Sequence, residues 1–218
     1  MQDIIIAGAG GFAREVIQLL EDINESSPTY NILGYIDENR DNHGKILNNY
    51  IVLGDINILS DYPNVNIVIA VGNPKTKKMF VEKMKKYNVK FPNIIHHSAV
   101  VGKHNDIGKG IIITANNVIT TNIKIDDFVT INLSCTIGHD SIIGKYSTIL
   151  PGVNVSGNVK IKELVDIGTG SRIIPSVTVG ENTIIGAGAV VTKDLPSNCT
   201  AVGIPAKPIK FHEASFIS

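Results

Sequence analysis

Only two cysteines, Cys135 and Cys199, occur in 218 residues, too few to suggest a disulfide framework. Charge of one sign is not in excess either. Lys+Arg and Asp+Glu number 20 each, so no global field draws the chain to nucleic acid. The start, Met1-Gln2-Asp3, has no basic stretch, and the apolar run behind it is five residues, too short for a signal peptide. Nothing approaches the ~20 apolar residues of a membrane span. These absences predict a soluble, cytoplasmic protein without a membrane or nucleic-acid partner.

What the sequence does have is a period. Every sixth residue from Val101 to Val191 is Ile or Val, sixteen positions without an insertion. Neither helix nor ordinary strand repeats this way. A six-residue aliphatic repeat marks a parallel β-helix. Each hexad supplies one short strand and one corner, and three hexads close a triangular coil. The repeated aliphatic points inward and stacks on the one 18 residues later. Gly follows it at Gly102, Gly108, Gly138, Gly144, Gly168, Gly180 and Gly186, where a Cβ would clash at the corner. Sixteen hexads predict about five coils and a prism roughly 25 Å tall.

Before the prism, residues 3–7 read as a buried strand. Gly8-Ala-Gly-Gly-Phe12 follows, and then a helix with Val16, Leu19, Leu20 and Ile23 on one face. Strand, glycine-rich turn and helix form the geometry that holds phosphate at a helix N-terminus, although such a turn also serves plain strand-to-helix packing. Residues 31–36 read as a second strand ending in Asp37-Glu38, where an acid usually meets a ribose or base. A third strand, 66–71, ends at Gly72-Asn73-Pro74; Asn73 suits an N-cap and Pro74 the first helical turn. The helix behind it, to about Tyr87, carries six lysines, a basic patch or, with zero net charge, more simply a solvated face.

These patterns predict an α/β Rossmann-like unit over 1–92, a β-helix over 93–208 and a tail over 209–218. The first unit is one βαβαβ half, room for a mononucleotide rather than NAD. After Val191 the period stops, and the prolines of 202–208 argue for an extended exit outside the ladder. The tail is expected to cap the last coil.

The hexads, the ending Ile185-Gly-Ala-Gly-Ala-Val-Val-Thr-Lys193, Val202-Gly-Ile-Pro-Ala-Lys207 and the N-terminal glycine turn together resemble the NeuD/PglD-like sugar acetyltransferases of bacteria, over about residues 2–210. The resemblance implies a left-handed β-helix and homotrimers with active sites between subunits. It implies acetyl-CoA as co-substrate, no metal, and polysaccharide-linked sugar acetylation. The acceptor it implies is the 4-amino group of a nucleotide-linked 4-amino-4,6-dideoxy sugar. O-acetylation of sialic acid or another sugar is the nearest alternative; the acid pair Asp37-Glu38 suits a nucleobase or ribose better than a carboxylated sugar.

The same resemblance assigns residues. His139 is the general base, and an imidazole suits that task at neutral pH. Asp140 raises its basicity, and Asn132 orients substrate or His139. Many relatives carry a second His at the place of Thr148, whose hydroxyl would donate to the thioester carbonyl, with backbone N–H groups around Gly157 sharing that role. Gly157, Thr169 and Ala187 match positions along the CoA groove, with Lys193 and Lys207 for its phosphates. Gly10, Gly11, Phe12, Asp37, Glu38 and Gly72 match the sugar-nucleotide site. Cys135 falls on an inward slot, which favours direct transfer over an acyl-enzyme. Three other classes compete. A trimeric zinc lyase would need three protein ligands, and the hexads hold only His104 and His139. An NAD-linked oxidoreductase lacks its second half. A non-catalytic scaffold leaves His139-Asp140 without a purpose.

Overall fold

A computed structural model of the chain describes residues 1–212. It divides into two compact units, Met1–His97 and a second beginning at Ser98. Among the described residues no helix is long and apolar enough to cross a membrane.

The first unit is a twisted sheet with two helices. β1 (Gln2–Ala7) is followed by α1 (Gly11–Ser26), β2 (Tyr30–Ile36), a hairpin of β3 (Ile46–Leu47) and β4 (Tyr50–Gly54), β5 (Asn66–Ile69) and α2 (Pro74–Met84). The strand order is β3-β4-β2-β1-β5. β4, β2, β1 and β5 run parallel, and only β3 is antiparallel. Ile4, Ile5, Ile6, Ile67 and Val68 form the sheet's buried centre, against Ala13, Val16, Ile17 and Leu20 of α1. The β3–β4 hairpin is an addition to the predicted pattern; Ile46 and Ile51 are exposed there, so it lacks the continuous apolar run that marks a buried strand. The chain order turns about β1: β2 lies on one side of it and β5 on the other, which leaves a crevice beyond their carboxyl ends.

α2 starts as its sequence predicts. Asn73 caps it by accepting from Thr76 N–H at 3.0 Å, and Pro74 takes the first position. The lysine face needs one correction. Lys75, Lys83, Lys85 and Lys86 are exposed and Lys78 is half-buried, but Lys77 is buried. It falls in the stripe Pro74, Lys77, Phe80, Val81, Met84, whose i, i+3, i+4 spacing turns it inward with the apolar residues.

From Val100 onward the chain is a left-handed β-helix. Each hexad contributes a two-residue strand whose second residue is the repeated aliphatic. Strands pair in parallel with those 18 residues away, as Ile119 with Ile137 and Ile137 with Val155, so three hexads make one coil. Three faces result, with outward positions at Val118/Thr136/Asn154, Lys124/Ile142/Lys160 and Thr130/Thr148/Asp166. The inward aliphatics are buried from Ile113 to Val191; Val101 and Ile107, in the first coil, are only half-buried.

Two corner positions do different work. The residue just after the aliphatic packs on the next coil: a Cβ on Gly138 would sit 2.6 Å from Gly157 N. The residue three after it has positive φ at every hexad from Gly110 to Gly188. Asn, Asp, Ser and Gly hold eleven of those fourteen positions, because a short polar side chain or none tolerates the left-handed region.

The prism's exit differs from expectation. Cys199–Val202 continues the parallel ladder beside Ile184–Ile185, and Lys207–Phe211 folds back antiparallel on it. The prolines are accommodated because Lys207–Phe211 pairs with Cys199–Val202 alone among the named strands, as an edge strand does. The remainder of the predicted cap, 213–218, lies outside the described residues.

Candidate active site

His139 and Asp140 occupy the corner between the Thr136 face and the Ile142 face. His139 follows the inward Ile137 by two residues, so its ring leaves the prism and is exposed. Asp140 takes the left-handed position, φ +59. Its backbone N–H donates to Thr121 O in the coil before, at 3.1 Å. Nδ1 of His139 lies 2.7 Å from Oδ2 of Asp140, while Oδ1 accepts from Asn122 Nδ2 at 3.2 Å. The hydrogen bond from His139, then that from Asn122, holds the Asp140 carboxyl below the usual carboxylate range. An ionised carboxylate only accepts, so Nδ1 carries the proton. The lone pair is thereby left on Nε2.

Nε2 lies over the next coil. A Cβ on Gly157 would sit 2.5 Å from it, so the bare backbone of Gly157 is what lets the imidazole take this place. Gly157 has no positive φ; space for the ring, not backbone conformation, demands glycine.

The other predicted residues of the prism fall elsewhere. Asn132, Thr169 and Ala187 belong to the corner between the Thr148 face and the Thr136 face. Thr169 and Ala187 are exposed there one coil apart, joined by Gly188 N–H donating to Thr169 O at 2.8 Å. Asn132 is buried, with Oδ1 accepting from Leu133 N–H at 2.8 Å. Thr148 is buried on the third face. Within one protomer neither Asn132 nor Thr148 is hydrogen-bonded to His139. Lys193 and Lys207 are exposed beyond the last full hexads.

In the α/β unit all six predicted residues, Gly10, Gly11, Phe12, Asp37, Glu38 and Gly72, line one open cavity of about 480 Å³. It lies at the crevice beyond β1, β2 and β5. Gly8, Ala9, Ala70, Val71, Thr76, Met79 and Phe80 complete it. The glycines there divide in two. Gly8 has φ +108, and a Cβ on it would meet Ala70 O at 3.0 Å, so the fold requires it. A Cβ on Gly10 or Gly72 meets no atom within 4 Å. Packing against the protein does not require glycine at either position. Gly10 caps α1 without a side-chain hydrogen bond, so the first-turn amides are available to an anion.

The roles of the two acids also sharpen. Asp37 Oδ2 accepts from Ala9 N–H and Oδ1 from Asn39 N–H, both at 2.8 Å. It fastens the glycine turn to the end of β2. His43 lies with Nε2 2.8 Å from Asp37 O. Glu38 pairs with Lys83 at 3.2 Å on the cavity's edge.

Elsewhere His96, His97 and His212 make local contacts. Nε2 of His96 is 3.3 Å from Asp22, and its ring is 4.1 Å from that of His97. His212 meets Thr200 Oγ1 at 3.1 Å. Cys135 is fully buried, which pushes its thiol up to about 11. Among the described residues no group of three or more His, Cys, Asp or Glu is placed to hold a metal ion. Sequence reasoning missed Asn122 and the Thr76, Met79 and Phe80 wall of the cavity. Asn122 was within reach, since it precedes Asp140 by the coil repeat of 18.

A left-handed β-helix with a polarised histidine at a corner, joined to a nucleotide-type α/β unit, defines a hexapeptide acetyltransferase. Known proteins agree. Residues 3–84 match the family described as PglD N-terminal domain. The acetyltransferase domain of PglB from Neisseria gonorrhoeae is 31% identical, with TM-score 0.88 over 96% of this chain and 100% of that one; it is also known in complex with acetyl coenzyme A. WeeI from Acinetobacter baumannii is 31% identical, with TM-score 0.87 and the same coverage, 96% and 100%. A His-to-Asn variant of perosamine N-acetyltransferase from Caulobacter crescentus, in complex with CoA and GDP-perosamine, is 28% identical, with TM-score 0.89 over 96% and 98%. Among curated proteins no sequence matches. The chain belongs to the NeuD/PglD-like sugar acetyltransferases. It is an enzyme, an acetyltransferase.

Proposed function

We propose that this enzyme acetylates the 4-amino group of a nucleotide-linked 4-amino-4,6-dideoxy sugar, by direct attack in a ternary complex with His139 as general base. One observation carries the reading: Asp140 holds Nδ1 of His139 and leaves Nε2 as an exposed acceptor. The sugar amine attacks the thioester carbonyl, Nε2 takes the amine proton, and the CoA thiolate leaves. The proton held on Nε2 is then available to the leaving thiolate. The cavity of the α/β unit holds the nucleotide, with diphosphate at the first turn of α1. The GDP-perosamine complex of the Caulobacter enzyme supports an amino sugar on a nucleotide as acceptor.

A homotrimer belongs to the same proposal. His139 and Gly157 sit at one corner of the prism and Thr169 and Ala187 at another, six residues of face apart, at most about 20 Å. Packing one protomer's first corner against a neighbour's second brings both sets onto one CoA. Asn132 and Thr148 would then act, if they touch the reaction, from a neighbouring copy.

The test is thiol release from acetyl-CoA with a panel of UDP-, dTDP- and GDP-linked 4-amino sugars plus free sialic acid. Turnover with an amino sugar, cut by about 10²–10⁴ in His139→Ala, is expected. Turnover with sialic acid alone would replace N-acetylation by O-acetylation. Full turnover in His139→Ala would remove His139 as base.

A further inference from the structure

We propose that Asn122 is a positioning residue for acetyl transfer, anchoring the Asp140 carboxylate so that it keeps His139 oriented and basic. The inference rests on the reading of His139 as base.

Asn122 and Asp140 occupy the same corner position in successive coils, at φ +57 and +59. The coil repeat therefore sets their side chains side by side, and Nδ2 of Asn122 donates to Oδ1 of Asp140 at 3.2 Å. The other oxygen of that carboxylate faces His139 Nδ1 at 2.7 Å. The amide's orientation follows from its partner: an ionised carboxylate only accepts, so the NH₂ end faces Asp140 and the oxygen end faces Thr121 Oγ1, 3.5 Å away. An exposed aspartate held only by an exposed histidine has two mobile partners and a weak, solvent-screened contact. A third member on the neighbouring coil, itself part of the ladder, removes one of those freedoms. The chain is thus Asn122, Asp140, His139, with Nε2 at its free end.

On the face that follows this corner Lys124 and Lys160 stand exposed, two residues past Asn122 and Asn158. The adjoining coils present Thr121 and Gly157 beside His139, and Asn122 and Asn158 beside Asp140. Along the corner the next ionisable side chains are Lys103 and His104, one coil beyond Thr121 and Asn122. Asp140 is the carboxylate hydrogen-bonded to the imidazole, so what holds Asp140 bears on the base.

Two variants, made in the full chain, test this. Asn122→Gly keeps the left-handed backbone and deletes the amide. Asn122→Asp keeps shape and backbone preference and adds a second carboxylate. Two readouts apply: the acid limb of the kcat–pH profile, and the titration of the His139 imidazole followed by nitrogen NMR, assigned by its loss in His139→Ala. In Asn122→Gly the imidazole titration moves to lower pH and kcat falls about tenfold, with KM for acetyl-CoA unchanged. In Asn122→Asp the extra negative charge moves the titration to higher pH, and the acid limb follows it. Unmoved titration and unmoved kcat in both variants, with His139→Ala inactive, would overturn the role of Asn122 while sparing His139. Full turnover in His139→Ala would overturn the reading beneath both.

Discussion

The imidazole of His139 lies over the α-carbon of Gly157, where a Cβ would come within 2.5 Å of Nε2. The two residues are 18 apart, one coil, so the same ladder that builds the core sets this distance. Gly157→Ala is expected to leave the fold intact, because φ there is not positive. The ring must swing away instead. Displacing a catalytic group by about 1 Å can cost roughly 10²-fold. A kcat loss of that order with an unchanged melting temperature is the expected result; an unchanged kcat would show that the base does not occupy this place in turnover.

Asp140→Asn tests the charge rather than the geometry. Asn tolerates the same left-handed backbone and can still accept from Nδ1, but it does not stabilise an imidazolium. We expect kcat about 10- to 100-fold lower, as for other partners that orient a functional histidine. Because the hydrogen bonds from His139 and Asn122 lower the Asp140 carboxyl from its ordinary 3.8, the wild-type acid limb should report one proton, not two. Steady-state profiles from pH 5 to 8 would show a second proton if Asp140 titrates there.

The glycines of the α/β unit's cavity should separate by experiment. Gly8→Ala strains a φ of +108 and crowds Ala70 O, so it should lower stability by more than about 1 kcal/mol. Gly10→Val meets no protein atom near its Cβ. It should leave stability nearly unchanged and raise KM for the sugar nucleotide, with KM for acetyl-CoA constant. Equal loss of stability in both would mean that Gly10, like Gly8, serves packing.

Asp37→Ala removes the acceptor of Ala9 N–H, and Ala9 is buried. Leaving that donor without its partner costs about 1–3 kcal/mol and loosens the glycine turn. Calorimetry should find weaker nucleotide binding together with a lower melting temperature. A binding defect without a stability change would make Asp37 a direct contact instead of a clasp.

Alkaline stability has a sign that burial decides. Cys135 is pushed up to about 11 and Tyr35 to about 12, above the ordinary 9.0 and 10.0, chiefly through desolvation. The unfolded chain therefore loses these protons first. Their contribution is complete below about pH 9 and is lost as pH rises through 11 to 12. Denaturation melts between pH 8 and 11 should show midpoints falling above pH 9. Cys135→Ser would lessen the fall by the cysteine's share.

The hexad period alone determined the prism, because one aliphatic per six residues can be buried together only if the chain winds in coils of 18. It also placed His139 on an outer corner, two residues past an inward Ile; the strand, turn and helix pattern before it placed the glycine turn with Asp37, Glu38 and Gly72 at one end of a parallel sheet. Packing hid the rest. The buried stripe of α2 took in Lys77 because helical spacing outweighs residue type when a long apolar stem lies on the inner face. The β3–β4 hairpin and the last ladder rung have no period to announce them. Only the tertiary structure decided that Asp37 clasps Ala9, that Gly157 makes room for a ring, and that Asn122 holds Asp140. Each joins residues far apart in sequence through side-chain directions and ångström-scale clearances, which a pattern of polar and apolar letters does not encode.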